Sequence, residues 1–163
     1  MIILVAVAMV AAIPRAEALP WRRKPSTPSG AALERLRKVD KPTRKTGLQT
    51  EQLRELIAPF SVETAEDRKV TREAFDILLR RARWRAKHGY PSAGALHHAG
   101  VLAELLGGLD GELERARRDA VAAHLKRART LERGLWAWLF RKRNPKAAEK
   151  QRQMAKQVED AKP

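Results

Sequence analysis

Three stretches decide the fold: TAEDRKVTREAFDILLRRARWRAKH (64–88), SAGALHHAGVLAELLG (92–107) and DGELERARRDAVAAHLKRARTLERGLWAWL (110–139). In each of them apolar residues recur at steps of three and four, which is the spacing of an amphipathic helix. Gly89 and Pro91 separate the first two stretches, and Gly107 and Gly108 separate the second from the third. We therefore predict three long helices, and the short loops between them favour antiparallel neighbours.

The ends and inner faces of these helices are also predicted. The first of them is expected to open at Ser61 or Thr64, and Thr64, three residues before Asp67, fits an acidic variant of a capping pattern. Gly89 is expected to end this helix in the left-handed conformation. Ser92 and Asp110 are predicted caps of the next two helices. The helix after Ser92 carries only one charged residue, Glu104, so we expect it to be the most buried. The expected core residues are Val70, Ala74, Ile77, Leu78 and Ala82, then Leu96, Ala99, Leu102, Ala103 and Leu106, then Leu113, Ala116, Ala120, Leu125, Ala128, Leu131, Leu135 and Leu139.

A shorter helix precedes this stretch at 48–58, where Leu53, Leu56 and Ile57 share one face and Pro59 ends the element. Together the four helices predict an all-α, up-down bundle over residues 47–140. Its core must be built from Leu, Ala, Val and Ile, because aromatic residues make up only 5% of the chain.

The residues on either side are predicted to lie outside the bundle. Residues 1–18 resemble a targeting leader: their apolar run, 2–13, would span roughly 18 Å as a helix, less than the ~30 Å hydrocarbon core, and Ala16 and Ala18 suit cleavage before Leu19. An uncleaved anchor or a buried strand are the alternatives. Residues 19–46 are interpreted as a basic, proline-rich linker with one short helix at 31–38, capped by Ser29. Residues 141–163 are interpreted as a basic polar tail, within which 146–161 are a polar segment or a frayed helix without an apolar stripe.

The charge is strongly basic, with 34 Lys and Arg against 19 Asp and Glu and a net charge of +15. Such an excess favours an anionic partner, which could be an acidic protein surface, a membrane face or nucleic acid. A genome composition that favours Ala and Arg is the alternative explanation.

Catalytic and metal-binding patterns do not emerge from the sequence. The chain has no cysteine, and the neighbouring His97 and His98 would point about 100° apart on a helix, so they do not suit one metal ion. The acidic residues near 63–67 and 112–114 are explained by helix starts, where the dipole favours them. We predict a protein that is not an enzyme, with no catalytic residue, no metal and no cofactor.

Two clusters are predicted to bind a partner. One is a cluster of positively charged residues near the end of the first long helix. The other is an aromatic segment followed directly by basic residues, and this second pattern suits a membrane interface or a partner groove. The candidate residues are Arg80, Arg81, Arg83, Arg85 and Lys87, then Trp136, Trp138, Phe140, Arg141, Lys142 and Arg143.

Residues 72–134, which include REAFDILLRRARWRAKHGYPSAGALHHAGVLAELLGGL and LKRARTLERG, resemble the lumenal four-helix assembly factors of photosystem II. The resemblance lies in a basic helix that ends at Pro91-Ser92, an Ala- and Leu-rich helix after it, and a final helix that ends with the residues Leu-Glu-Arg-Gly at 131–134. It implies a non-catalytic protein that docks on the lumenal face of a chlorophyll-binding subunit. The chain departs from that family in its higher basicity, its glycine-rich turn at 107–111 and its Trp-rich end, so no contact residue is carried over.

These observations lead to one functional hypothesis and one alternative. The hypothesis is an accessory or assembly subunit that docks on a larger complex with an acidic surface, in an exported or lumenal compartment and at the periphery of a membrane. The alternative is a nucleic-acid-binding protein of an organellar ribosome or of a chromosome, in which case the compartment would be an organelle matrix.

Overall fold

The computed structural model describes residues 27–39, 50–133 and 144–161, and these form helices without any strand. The all-α bundle prediction is confirmed. Among the described helices, none is both long enough and apolar enough to cross a lipid bilayer. The helices are α1 (Pro28–Val39), α2 (Thr50–Ile57), α3 (Ala65–His88), α4 (Ala93–Leu106), α5 (Asp110–Arg133) and α6 (Pro145–Asp160).

Helices α3 to α6 pack with alternating directions. An ion pair of 2.8 Å between Arg72 and Glu112 joins the first halves of α3 and α5, so these two helices run the same way, and α4 packs against both of them in the opposite direction. Helix α6 runs back along α5, since the amide of Asn144 donates to the carbonyl of Leu131 at 3.5 Å. The four main helices of the bundle are therefore α3, α4, α5 and α6.

The interpretation of residues 146–161 as a polar segment without an apolar stripe is wrong. Asn144 caps α6 by accepting a hydrogen bond from the amide of Ala147 at 3.0 Å, and Pro145 occupies the first helical position. The buried face of α6 is made mostly of small residues and includes one amide side chain, so it carries little hydrophobic signal. Its buried residues are Ala148, Gln151, Met154, Ala155 and Val158.

Helices α1 and α2 cover the outside of the bundle, α1 against α3 and α2 against α4. Leu33 and Leu36 are buried on one side of α1. Ser29 is not the cap of this helix: the hydroxyl of Thr27 accepts from the amide of Gly30 at 3.0 Å. The Ser29 hydroxyl is buried and donates to the carbonyl of Pro59, which ties α1 to the chain after α2.

Both predicted ends of α3 are confirmed. The Thr64 hydroxyl accepts from the amide of Asp67 at 3.0 Å, and Gly89 adopts φ 78° and ψ 25° in the left-handed region. Of the predicted core stripe, Ala74, Ile77, Leu78 and Ala82 are buried and Val70 is partly buried.

Of the caps predicted for α4 and α5, one holds in position and the other is wrong. Ser92 occupies the cap position of α4 as predicted, although its side chain makes no capping hydrogen bond. Asp110 is the first residue of α5 and not its cap, because the amide of Leu113 donates to the carbonyl of Leu109.

The predicted seam of α5 holds for Leu113, Ala116, Ala120 and Ala128, which are all buried. Leu125 is instead exposed, and the neighbouring His124 takes the core position with no exposed surface. Leu131 is partly buried, and the seam residues 135 and 139 lie outside the described part of the chain.

Candidate functional site

The five basic residues predicted as one cluster on α3 point in different directions. Arg80, Arg83 and Lys87 are exposed and spaced by three and four residues, so they form one stripe along the helix. Arg81 and Arg85 lie on another side of the same helix, because a helical residue turns by about 100°. The stripe contains the most exposed side chains of the cluster, whereas Arg85 is partly buried and Arg81 is buried.

Arg81 has a structural role. Its side chain is buried, and its Nη2 donates to the carbonyl of Val39 at 2.5 Å. Val39 is the last residue of α1, where carbonyl groups lack helical partners and a positive charge is favoured by the helix dipole. In this arrangement Arg81 fixes α1 on α3, and its predicted role in partner binding stays a prediction.

Arg85 and Arg83 also make contacts within the chain. The Nε of Arg85 donates to the carbonyl of Pro91 at 2.5 Å, and its guanidinium lies 5.8 Å from the ring centre of Tyr90. Burial lowers the pKa of Arg85 from its usual high value. Arg83 forms an exposed ion pair of 3.6 Å with Asp119 of α5.

The remaining six candidates, Trp136, Trp138, Phe140, Arg141, Lys142 and Arg143, lie outside the residues that the structure describes. Their predicted role in binding stays a prediction.

A groove between the end of α3 and the second half of α5 is the strongest candidate for anion binding. Its volume is about 360 Å³, and its lining brings together Lys87, Lys126 and Arg127 around Ala123, Thr130 and Leu131. No carboxylate is among these lining residues. We name it the cationic groove. Positive charges that share a concave surface reinforce one another, and the field they create attracts anions.

Gly89 allows Arg127 to lie at this position. A Cβ built on Gly89 would come within 2.7 Å of the Cδ of Arg127, so a larger residue here would require the exposed Arg127 side chain to shift. The same glycine has the positive φ that ends α3. Sequence reasoning found the conformational role of Gly89 but missed this contact, because the contact joins residues far apart in the chain.

An aromatic stack lies beside the cationic groove at the end of α3. The ring of Trp84 stacks on His88 with centres 4.1 Å apart, and on Tyr90 with centres 5.9 Å apart. All three rings keep some exposure to solvent. The stack and the groove place planar rings next to positive charges at one end of the bundle.

A buried polar network lies deeper in the same end of the bundle. The hydroxyl of Ser92 is 3.1 Å from Nε2 of His124, and Nδ1 of His124 is 2.9 Å from Oε1 of Gln151. The amide nitrogen of Gln151 then donates to the carbonyl of Gly89 at 3.0 Å. These bonds assign the proton to Nδ1 of His124 and join the α3–α4 turn, α5 and α6.

The order hydroxyl, imidazole, amide resembles the arrangement of a nucleophile, a base and an orienting group. However, Ser92 is 1% exposed and His124 is 0% exposed, so a substrate carbonyl cannot reach the hydroxyl. Burial also lowers the pKa of His124, with a further contribution from the positive charge of Arg127. The network is best explained as a structural connection between helices, and sequence spacing gave no signal for it.

Metal-ligating side chains do not converge within the described residues, which contain no group of three or more His, Cys, Asp or Glu in reach of one ion. The rings of His97 and His98 are tilted by 60°, with centres 5.2 Å apart. This geometry agrees with two neighbouring helical residues that point in different directions.

Comparison with known proteins identifies no family: no protein-family model, no curated protein and no solved structure matches the chain. The resemblance of residues 72–134 to lumenal assembly factors of photosystem II therefore stays a prediction from the sequence.

Proposed function

We propose that this chain is a non-catalytic docking subunit whose cationic groove binds an acidic surface of a larger protein complex. The observation that supports this most strongly is the convergence of Lys87, Lys126 and Arg127 on one concave surface without a carboxylate among the lining residues. The exposed stripe of Arg80 and Arg83 extends the positive surface along α3. Delivery to an exported or lumenal compartment remains part of this proposal, and it rests on the leader-like residues 1–18 alone.

The groove suits carboxylates presented by a rigid partner. Three cations held on two packed helices are preorganised, so a partner does not have to bring them together against their mutual repulsion. Charge complementarity of this kind mainly raises the association rate and selects the correct partner.

The test is a comparison of two triple variants with the same change of charge. In the first, Lys87, Lys126 and Arg127 are replaced by Gln, which removes the cationic groove. The control replaces Arg54, Arg68 and Lys69 by Gln, and these three residues are exposed at the other end of the bundle. Both variants should keep the helical circular dichroism of the parent, because exposed charges contribute little to stability.

The groove variant should lose at least tenfold in affinity for poly-glutamate, used as a simple acidic polypeptide, and the control should lose less than threefold. Co-purification from the source cells, after nuclease treatment, should show the same difference for the natural partner. Equal losses in the two variants would mean that net charge, and not the groove, attracts acidic molecules.

Nucleic acid is a second candidate partner, and the specific observation that favours it is the aromatic stack of Trp84, His88 and Tyr90 beside the groove. Proteins that bind single strands combine a positive groove with aromatic rings on which bases stack. Three phosphate contacts would give a slope of about −2 for the logarithm of affinity against the logarithm of salt concentration.

An oligonucleotide of uniform thymidine separates the two candidates. For nucleic-acid binding, the groove variant should abolish the slope, and Trp84→Ala should weaken binding by about 1–3 kcal/mol. For acidic-protein binding, the oligonucleotide should bind no more tightly than poly-glutamate, and Trp84→Ala should leave the affinity for both unchanged.

A further inference from the structure

A second groove lies on a different surface, between the outer side of α5 and the C-terminal end of α6. Its volume is about 390 Å³. Its apolar lining comes from Val121, Ala122 and Leu125 of α5 and from Val158 of α6. None of its lining residues belongs to the cationic groove, so the two surfaces are separate.

Leu125 gives this groove an apolar surface that the bundle itself does not use. Its side chain is 36% exposed, and it and Leu105 are the only two large apolar residues that are exposed in the described ranges. Ala122 is exposed beside it, one helical turn before, and Val121 is half-buried. Aliphatic groups at such helical spacing form a ridge against which a second helix can pack.

Arg117 adds an incomplete polar site to the same groove. Its Nη1 donates to the carboxylate of Glu114 at 2.5 Å, and its side chain is only 11% exposed. Its Nε and Nη2 are buried and have no hydrogen-bond partner among the described residues. Leaving such donors unpaired is unfavourable, so an acceptor from outside the chain would be stabilised there.

The two unpaired nitrogens define the chemistry of that acceptor. Nε and one Nη of a guanidinium lie on one edge, and their two parallel N–H groups match the two oxygens of a carboxylate. The rim of the groove also carries Arg118 and Glu159, whose charges offset each other. A single carboxylate next to apolar groups therefore fits better than a phosphate, whose larger charge would have to be desolvated against Leu125.

We propose that this groove binds an amphipathic helix of a partner protein. Aliphatic side chains of that helix would pack on Val121, Ala122 and Leu125, and a Glu or Asp would accept two hydrogen bonds from Arg117. Arg117 lines the groove, but its Nε and Nη2 are buried in the free chain, so binding requires the guanidinium to turn toward the groove. With the cationic groove on another face, the chain could then connect two different binding partners.

The experiment uses the full chain and a labelled peptide as the probe. The peptide has about four helical turns, with Leu at steps of three and four and one Glu between them, and a twin peptide carries Gln in place of Glu. Binding is followed by fluorescence anisotropy. The variants are Leu125→Glu, Arg117→Lys and, as the matched control, Leu105→Glu on α4, which makes the same change at the other exposed leucine.

Wild type and Leu105→Glu should bind the Glu peptide with equal affinity, and Leu125→Glu should bind it at least tenfold more weakly. Arg117→Lys keeps the charge but loses the two parallel N–H donors, so it should bind the Glu peptide about tenfold more weakly. Wild type should bind the Gln peptide about tenfold more weakly than the Glu peptide for the same reason. Circular dichroism checks that each variant is folded, because Leu125 is only 36% exposed.

Three results would overturn the proposal. The first is the absence of binding by wild type, and the second is equal binding of the Glu and Gln peptides. The third is self-association of wild type in sedimentation velocity that Leu125→Glu abolishes, since a second copy of the chain would then occupy the groove. Because none of the substituted residues lines the cationic groove, these results leave the docking function to be judged by its own variants.

Discussion

Replacing Gln151 by Leu should destabilise the protein, although leucine is more hydrophobic and of similar size. Gln151 is 6% exposed on α6, and its side chain both accepts from Nδ1 of His124 and donates to the carbonyl of Gly89. Leucine can make neither bond. The substitution therefore leaves a buried imidazole N–H without an acceptor.

The magnitude follows from which groups lose their partners. His124 is fully buried, so its N–H should cost about 1–3 kcal/mol when unpaired. Gly89 is half-buried, and water can replace the lost donor at its carbonyl, so that bond adds little. With some gain from burying leucine, we expect a net loss of about 1–3 kcal/mol, a large share of the ~5–15 kcal/mol that holds a typical domain folded.

Urea unfolding followed by circular dichroism at pH 8 measures this change. Gln153→Leu, at an exposed position of the same helix, is the matched control and should change stability by less than about 0.5 kcal/mol. A triple variant, Ser92→Ala with His124→Leu and Gln151→Leu, removes every polar group of the network and should recover most of the loss. The reasoning is refuted if Gln151→Leu unfolds like its control, or if the triple variant is less stable than the single one.

Further predictions concern pH, a glycine and a helix cap. Because burial and Arg127 lower the pKa of His124 below 6.5, the unfolded chain binds the proton first. The contribution of His124 to the free energy of unfolding is therefore complete above about pH 6.5 and declines as pH falls toward the folded-state pKa. Urea unfolding across this range should show that wild type loses more stability on acidification than the triple variant does. Gly89→Ala should cost about 1–2 kcal/mol for its left-handed backbone, with little added for Arg127, whose exposed side chain can shift. Gly111→Ala, in the open first turn of α5, should stabilise by at most about 0.5–1 kcal/mol. Thermal unfolding that shifts both variants in the same direction would contradict this. Asn144→Ala should remove about 0.5–2 kcal/mol and increase hydrogen exchange at the start of α6, while Asn144→Asp, which can still cap, should behave like wild type.

Local chemistry explains why some elements could be read directly from the sequence. The cap at Thr64 and the left-handed stop at Gly89 depend on residues close in the chain, and both appear in the structure as predicted. The stripe of α3 was also predictable, because its apolar residues are large and recur at helical steps. In these parts of the fold, the local structure is determined by which residues are spaced a few positions apart in the chain.

Helix α6 and the buried His124 could not be predicted from spacing along the chain. The inner face of α6 consists of alanines, Met154, Val158 and Gln151, so hydrophobicity alone does not distinguish it from a solvated tail. Leu125 was the predicted core residue, but His124 is inside because Ser92 and Gln151 satisfy its two nitrogens. No partner is adjacent in sequence, so the choice depends on contacts between three helices.

The same distinction applies to the candidate binding surfaces. The sequence by itself determined that the chain is helical and strongly basic, since both properties are sums over residues. Only the tertiary structure decided that Arg81 is hydrogen-bonded to the carbonyl of Val39. It also decided that Lys87 shares a groove with Lys126 and Arg127, and that Nε and Nη2 of Arg117 have no partner among the described residues. The physical reason is that the function of a charged side chain depends on which groups surround it, and those groups come from helices that meet only when the bundle has formed.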